Sequence, residues 1–170
     1  MTMLIVLLIL LSALVLIMAN FILTYNSLSS LDENIYLEIE KIKDILKKEL
    51  DLIDEFNKYL KLDFDLIENA YELKEKVETT HDIEDLTRYN LIVEALFKEI
   101  EGLIDMENKD NDTDIKKLLL VRNSLKTKLK EKILNLNEYI SEYNEILDTF
   151  MGKLIKSLSD FQKKDFYEEF

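Results

Sequence analysis

Residues 3–19 read MLIVLLILLSALVLIMA, with Ser12 as the single polar interruption, and the uncharged run continues through Asn20 to Leu23. At about 1.5 Å of rise per residue, a helix over residues 3–23 covers the ~30 Å hydrocarbon core of a bilayer. Such a run fits a transmembrane anchor, a cleaved signal peptide or a core helix. A signal peptide wants a basic n-region and small residues three and one before the cut. Here no Lys or Arg precedes Lys41, and Ile17 is a poor partner for Ala19. The expectation is an N-terminal anchor segment over residues 1–24, meeting the lipid bilayer through residues 3–23, followed by a body over residues 25–170. Orientation has little to rest on, because the amino-terminal flank is only Met1 and Thr2. Lys41 and Lys43, the first basic residues beyond the run, lean toward a cytoplasmic body.

Charge makes the same division. Residues 1–31 carry no charged side chain, whereas residues 32–170 carry all 22 basic and all 35 acidic ones, for a net charge of −13. Affinity for nucleic acid needs clustered basic residues that release counterions, so this balance argues against a nucleic-acid partner. With no cysteine, disulfides, thiolate metal sites and a cysteine nucleophile are excluded. Two glycines and no proline leave little of the turn chemistry on which β-rich and Rossmann-type folds depend.

Apolar residues recur at helical spacing nearly to the end of the body. Leu28, Leu31, Ile35, Ile39, Ile42, Leu46, Ile53, Phe56 and Leu60 step mainly by three and four. Phe64, Ile67, Tyr71 and Val77 form a shorter segment. Ile83, Leu86, Val93, Phe97, Ile100 and Ile104 follow, with Asn90 as the one polar interruption. The last and longest run extends from Ile115 and Leu118 through Leu125, Leu129, Ile133 and Tyr143 to Phe150, Leu154, Leu158 and Phe161. The pattern predicts an all-α fold, an N-terminal transmembrane helix followed by an antiparallel up-and-down bundle of three to four long helices. Ser30-Leu31-Asp32-Glu33 fits a capping box that would start a new helix, and a continuous helix from membrane into body fits equally well. Thr79, Thr80 and Asp82 can cap the third segment. The polar residues 108–114 form the clearest interhelix loop.

Several constellations look chemical and fail on their spacing. Asp110, Asp112 and Asp114 imitate the opening of a calcium loop, but that loop needs Gly at its sixth position and Glu at its twelfth, where this chain has Ile115 and Val121. His81 has no second His or Cys at ligand spacing and reads as a surface or capping residue. Asp51 and Glu55 form an i, i+4 pair on a face expected to be solvated, where nothing raises one pKa to make an acid of it. Ser157 has no partner base, and there is no Gly-rich phosphate loop. No active site, cofactor site or metal site is expected.

The body's charges are polarised along the chain. Residues 32–114 hold 11 basic and 26 acidic side chains, and residues 115–164 hold 11 basic and 6 acidic. The simpler reading packs the basic last helix beside acidic earlier ones. The alternative makes Lys116, Lys117, Arg122, Lys126, Lys128, Lys130 and Lys132 a docking patch for an acidic partner or anionic lipid.

Tyr25-Asn26, followed by Leu46-Lys47-Lys48-Glu49-Leu50-Asp51-Leu52-Ile53, resembles the start of LemA-family proteins, where a YN pair precedes an L-K-R-R-x-D-L-I-P-N-L segment soon after an N-terminal transmembrane helix. Asn137, Ile140, Tyr143-Asn144, Ile146, Phe150, Leu154-Ile155, Phe161, Lys164 and Phe166-Tyr167-Glu168 resemble that family's closing YN-x-x-V-x-x-YN-x-x-I-x-x-FP-x-x-L-I-A segment and aromatic tail. The match covers both ends of the body, with only compatible helices over residues 61–125. Glu49 stands where the family usually has Arg, Asp54 and Met151 where it has Pro, Leu136 where it has Tyr, and Lys156 where it has Ala.

The resemblance implies a helical bundle on a single anchor in a bacterial cell membrane, with a short extracytoplasmic N-terminus, a cytoplasmic body and no accepted catalytic activity or cofactor. A non-enzymatic scaffold or adaptor for another membrane protein is the expectation, and a regulatory subunit of a membrane-associated protease or envelope-stress system is the alternative. Exposed helix faces permit a homo-oligomer. The residues singled out for interaction are Tyr25, Asn26, Asp51, Leu52, Ile53, Tyr143, Asn144 and Phe150. With four helices, the tail aromatics Phe161, Phe166, Tyr167 and Phe170 return to the level of Tyr25-Asn26, which then organise the anchor against the bundle. With three, the tail points away. Periodicity assigns Tyr143 and Phe150 to the core.

Overall fold

The structure, a computed structural model, describes residues 2–168, so Phe170 lies outside the described residues. All regular structure among them is helical: α1 (Thr2–Asn57), α2 (Phe64–Thr79), α3 (Ile83–Met106), α4 (Thr113–Asp148) and α5 (Phe150–Leu158). The first helix runs 56 residues without a break, so Ser30-Leu31-Asp32-Glu33 lies inside it and starts nothing. Leu28, Leu31 and Ile35 are all buried there and keep the apolar stripe in register. Burial of each is worth about 1.5–3 kcal/mol, against roughly 1 kcal/mol for a cap.

The other boundaries follow from side-chain chemistry. Asp63 accepts from the Asp65 amide to start α2, and Asp82 accepts from the Glu84 amide to start α3. Asn108, with a φ of 53°, ends α3, and the Lys109 amide reaches back to the Ile104 carbonyl. That is a Schellman turn, with Asn in the left-handed position that it tolerates better than most residues. Within the calcium-like loop, Asp112 Oδ1 accepts from the amides of Asp114 and Ile115 and so caps α4.

One expectation needs correction. The long run from Ile115 to Phe161 holds two helices, with Phe161 beyond the second, because Thr149 caps α5 by accepting from the Gly152 amide at 3.0 Å. A Cβ built on Gly152 would lie 2.0 Å from the Ile146 carbonyl oxygen, so this close return of the chain requires glycine. The restart turns Met151, Gly152 and Ile155 inward and leaves Phe150 82% exposed, contrary to its assignment to the core.

The chain divides into two compact units. Unit 1 joins the chain up to Tyr36 with Glu138–Lys164. Its buried side chains include Leu28, Leu31, Ile35, Ile140, Tyr143 and Leu147. Unit 2 holds Leu37–Asn137 and the tail from Asp165, with Ile42, Leu46, Ile53, Phe56, Phe97 and Ile133 among its core residues.

Candidate functional site

In unit 2 three polar side chains occupy stripe positions that helical spacing reserves for apolar ones. Glu49 stands between Leu46 and Ile53 on α1, Asn90 between Leu86 and Val93 on α3, and Arg122 between Leu118 and Leu125 on α4. Glu49 is fully buried and Arg122 nearly so. Burying a charge is costly unless it is paired, and Arg122 is well paired. Its guanidinium donates to Glu94 Oε2 at 3.1 Å and to Glu101, and it lies 4.2 Å from the centre of the Phe97 ring. Lys126 Nζ adds a second contact to Glu94 Oε2 at 2.7 Å.

Glu49 is treated differently, since neither of its carboxylate oxygens has a hydrogen-bond partner. Burial raises its carboxyl from the usual 4.5 to about 7, the Glu94 charge adds to that, and Arg122 and Lys126 pull the other way. A buried carboxyl in this position exchanges a proton near neutrality instead of holding a permanent charge. Beside the cluster, a cleft of about 460 Å³ is lined by Asn90, Leu91, Glu94, Lys126, Leu129 and Ile133, among others. Among the described residues no group of three or more His, Asp or Glu side chains is arranged to hold a metal ion.

The tail closes this cluster through Tyr167. Its ring is buried, and its hydroxyl donates to the Leu86 carbonyl at 3.2 Å. Burial pushes the phenol's pKa well above its ordinary value, the Asn90 side chain pulls it down, and the Glu49 charge raises it further. The backbone of Tyr167 is held as firmly as the ring. Asn137 Oδ1 accepts from the Tyr167 amide at 2.8 Å, and Asn137 Nδ2 donates to the Tyr167 carbonyl at 2.8 Å.

Unit 1 contains a second clamp of the same design. Asn144 Nδ2 donates to the Lys164 carbonyl at 2.8 Å, and the Lys164 amide donates to Asn144 Oδ1 at 3.0 Å. Lys164 Nζ pairs with Asp32 at 2.7 Å and lies 5.4 Å from the centre of the Tyr143 ring. Phe161 packs with Tyr25, centroids 5.5 Å apart, and with Tyr143 at 6.3 Å. Burial and the Asp32 charge push the Tyr143 hydroxyl up to about 12.

The residues singled out by the sequence are therefore divided. Tyr25, Tyr143 and Asn144 converge on one segment of the tail in unit 1, while Asn26 is exposed and makes no side-chain hydrogen bond among the described residues. Leu52 and Ile53 are core residues of unit 2, and Asp51 is an exposed partner of Lys74. Phe166 is half exposed, and Tyr167 serves the cluster of unit 2. Of the basic residues in α4, Arg122 and Lys126 reach acidic partners on α3, and Lys117 pairs within α4 with Asp114. Glu49, Glu94 and Asn137 had no part in the sequence-based site.

No family model, curated protein or solved structure matches the chain.

Proposed function

We propose that the chain is a membrane-anchored, non-enzymatic scaffold or adaptor of the LemA type, seated in a bacterial cell membrane with its N-terminus outside and its body, an antiparallel up-and-down bundle, in the cytoplasm. The observation that carries this reading is the exposure of residues 3–23. They are helical and apolar on every side, and none of the most apolar window is buried by the rest of the protein. A soluble core helix of that composition would be covered, whereas a helix apolar all round and left uncovered is suited to lipid. The Tyr25-Asn26 and Tyr143-Asn144 pairs support the family reading, since three of these four residues act together on one tail segment.

The chain has no cysteine, which permits a direct test. Ser124→Cys on the exposed surface of α4 is challenged with a membrane-impermeant maleimide in intact bacterial cells and again after lysis. Labelling only after lysis is expected, and labelling of intact cells would reverse the orientation. Retention in the membrane fraction through an alkaline wash is expected of an anchor, and release would remove it. Photocrosslinking from the body is expected to capture an integral membrane protein. A protease as the sole partner would replace the adaptor by the regulator.

A further inference from the structure

Unit 1 contains a helix with one apolar face too many. In α5, Met151, Gly152 and Ile155 are buried, which accounts for an ordinary amphipathic helix of nine residues. Yet Phe150, Leu154 and Leu158, at i, i+4 and i+8, form a second apolar stripe that is 82%, 39% and 70% exposed. A surface helix normally turns polar side chains outward. Here the polar positions are Lys153, Lys156 and Ser157, which border the stripe on one side, while the buried face borders it on the other.

We infer that α5 is a second membrane contact, an interfacial helix that sets Phe150, Leu154 and Leu158 into the headgroup layer of an anionic bilayer and places Lys153 and Lys156 against lipid phosphates. This inference rests on the reading of residues 3–23 as the anchor. Its first support is location. A cavity of about 530 Å³ in unit 1 is lined by Asn20, Thr24 and Ser27 from α1 together with Ile146, Thr149 and Phe150. The exposed stripe therefore begins beside the residues at which the apolar run of α1 ends, the depth at which an anchor leaves the hydrocarbon.

Charge is the second support. In a chain of net charge −13, residues 149–164 hold four lysines and a single acidic residue, Asp160. Lys163 and Lys164 are engaged by Asp148 and Asp32, and neither Lys153 nor Lys156 forms an ion pair among the described residues. Basic residues close to an anionic leaflet are attracted to it, and apolar side chains of such a helix sink about 5–10 Å into the headgroup boundary. Nine residues with three apolar side chains would bind a membrane weakly on their own. Covalent connection to the anchor makes the contact intramolecular, so a weak contact is sufficient.

The test uses the full chain in vesicles of phosphatidylcholine containing about a third phosphatidylglycerol, an anionic surface of the kind such lysines would sense. Single cysteines at Leu8→Cys, Ser157→Cys and Ser124→Cys carry an environment-sensitive fluorophore, and brominated lipids report its depth. Deep quenching is expected at position 8, shallower but at least about threefold stronger quenching at 157 than at 124, and a loss of about half the signal at 157 alone on adding Lys153→Glu and Lys156→Glu. Quenching at 8 with none at 157 above that at 124 overturns the interfacial helix and leaves the anchor intact. Absence of quenching at 8 overturns the anchor and this inference together. A shielded probe at 157 that becomes exposed as protein is diluted in lipid would assign the stripe to a second copy of the chain, and so also overturn it.

Discussion

Asn144 and Asn137 grip the tail with the same two hydrogen bonds, but they secure different things. At Lys164 the clamp holds a partly exposed side chain whose charge goes to Asp32 and the face of Tyr143. At Tyr167 it holds a buried ring that closes over Asn90 and the Glu49 region. A net hydrogen bond is worth roughly 1 kcal/mol in either place, whereas burial of a large aromatic is worth several times as much. Backbone recognition thus sets where the tail lies in each unit, and side-chain burial sets how firmly. The Tyr167 clamp also faces an interior with a carboxyl that titrates near neutrality, whereas the group beside the Lys164 clamp, Tyr143, is pushed up to about 12.

The sharpest way to break this contrast is Arg122→Ala, which strips Glu94 and Glu101 of their guanidinium and leaves Glu49 with less compensation. A loss of about 3–5 kcal/mol is expected, read as a lower urea midpoint in detergent, while Lys164→Ala in unit 1 is expected to cost less than about 1 kcal/mol. Equal effects would end the distinction between the units. Tyr167→Ala comes next, at about 3 kcal/mol, with Tyr167→Phe costing about 1 kcal/mol because only the hydroxyl contacts are lost.

The pH dependence is smaller and has a definite sign. Glu49 titrates near 7 in the folded protein and at the usual 4.5 when unfolded, so between those values the native state binds more protons. Stability from this group is present below about 4.5, falls as pH rises through the window and is fully lost above about 7. Glu49→Gln is expected to remove that slope and to raise stability by about 1–3 kcal/mol at pH 8, with little change at pH 4. Parallel wild-type and variant curves would place the slope elsewhere. Smallest are the clamps themselves. Asn137→Ala and Asn144→Ala should each cost about 1–2 kcal/mol. Hydrogen exchange should rise at the Tyr167 amide in the first and at the Lys164 amide in the second, without crossing over.

Much of this was written plainly in the sequence, and the misses have physical reasons. The uncharged run, the helical stripes, the Asp82 cap and the loop before α4 are local signals, and local chemistry decides them. The buried cluster is legible in outline, because the three-and-four stepping of the stripes in α1 and α4 jumps by seven at one place each, from Leu46 to Ile53 and from Leu118 to Leu125. Glu49 and Arg122 fill those gaps at the inward position. Treating Arg122 as one of a basic row hides the second. The restart at Thr149 was masked because Phe150 and Leu154 continue the helical count across it. Its signals are Thr149 and Gly152, three apart: a capping residue, and a residue without a side chain where the backbone returns closely on itself. Asn144 stands among the residues singled out for interaction, but what it and Asn137 grip could not be read, since they recognise backbone and leave no complementary side chain to notice.

That last property bears on how such a tail drifts over generations. Both asparagines lie on α4, seven residues apart, and each addresses only main-chain atoms of its target. Substitutions at neighbouring tail positions such as Asp165 or Phe166 leave those bonds unchanged, so the segment is free to diversify while its placement is inherited. In a saturation scan positions 137 and 144 should show a modest but uniform loss with every replacement, whereas the tail segment should be sensitive chiefly at Tyr167 and Phe161.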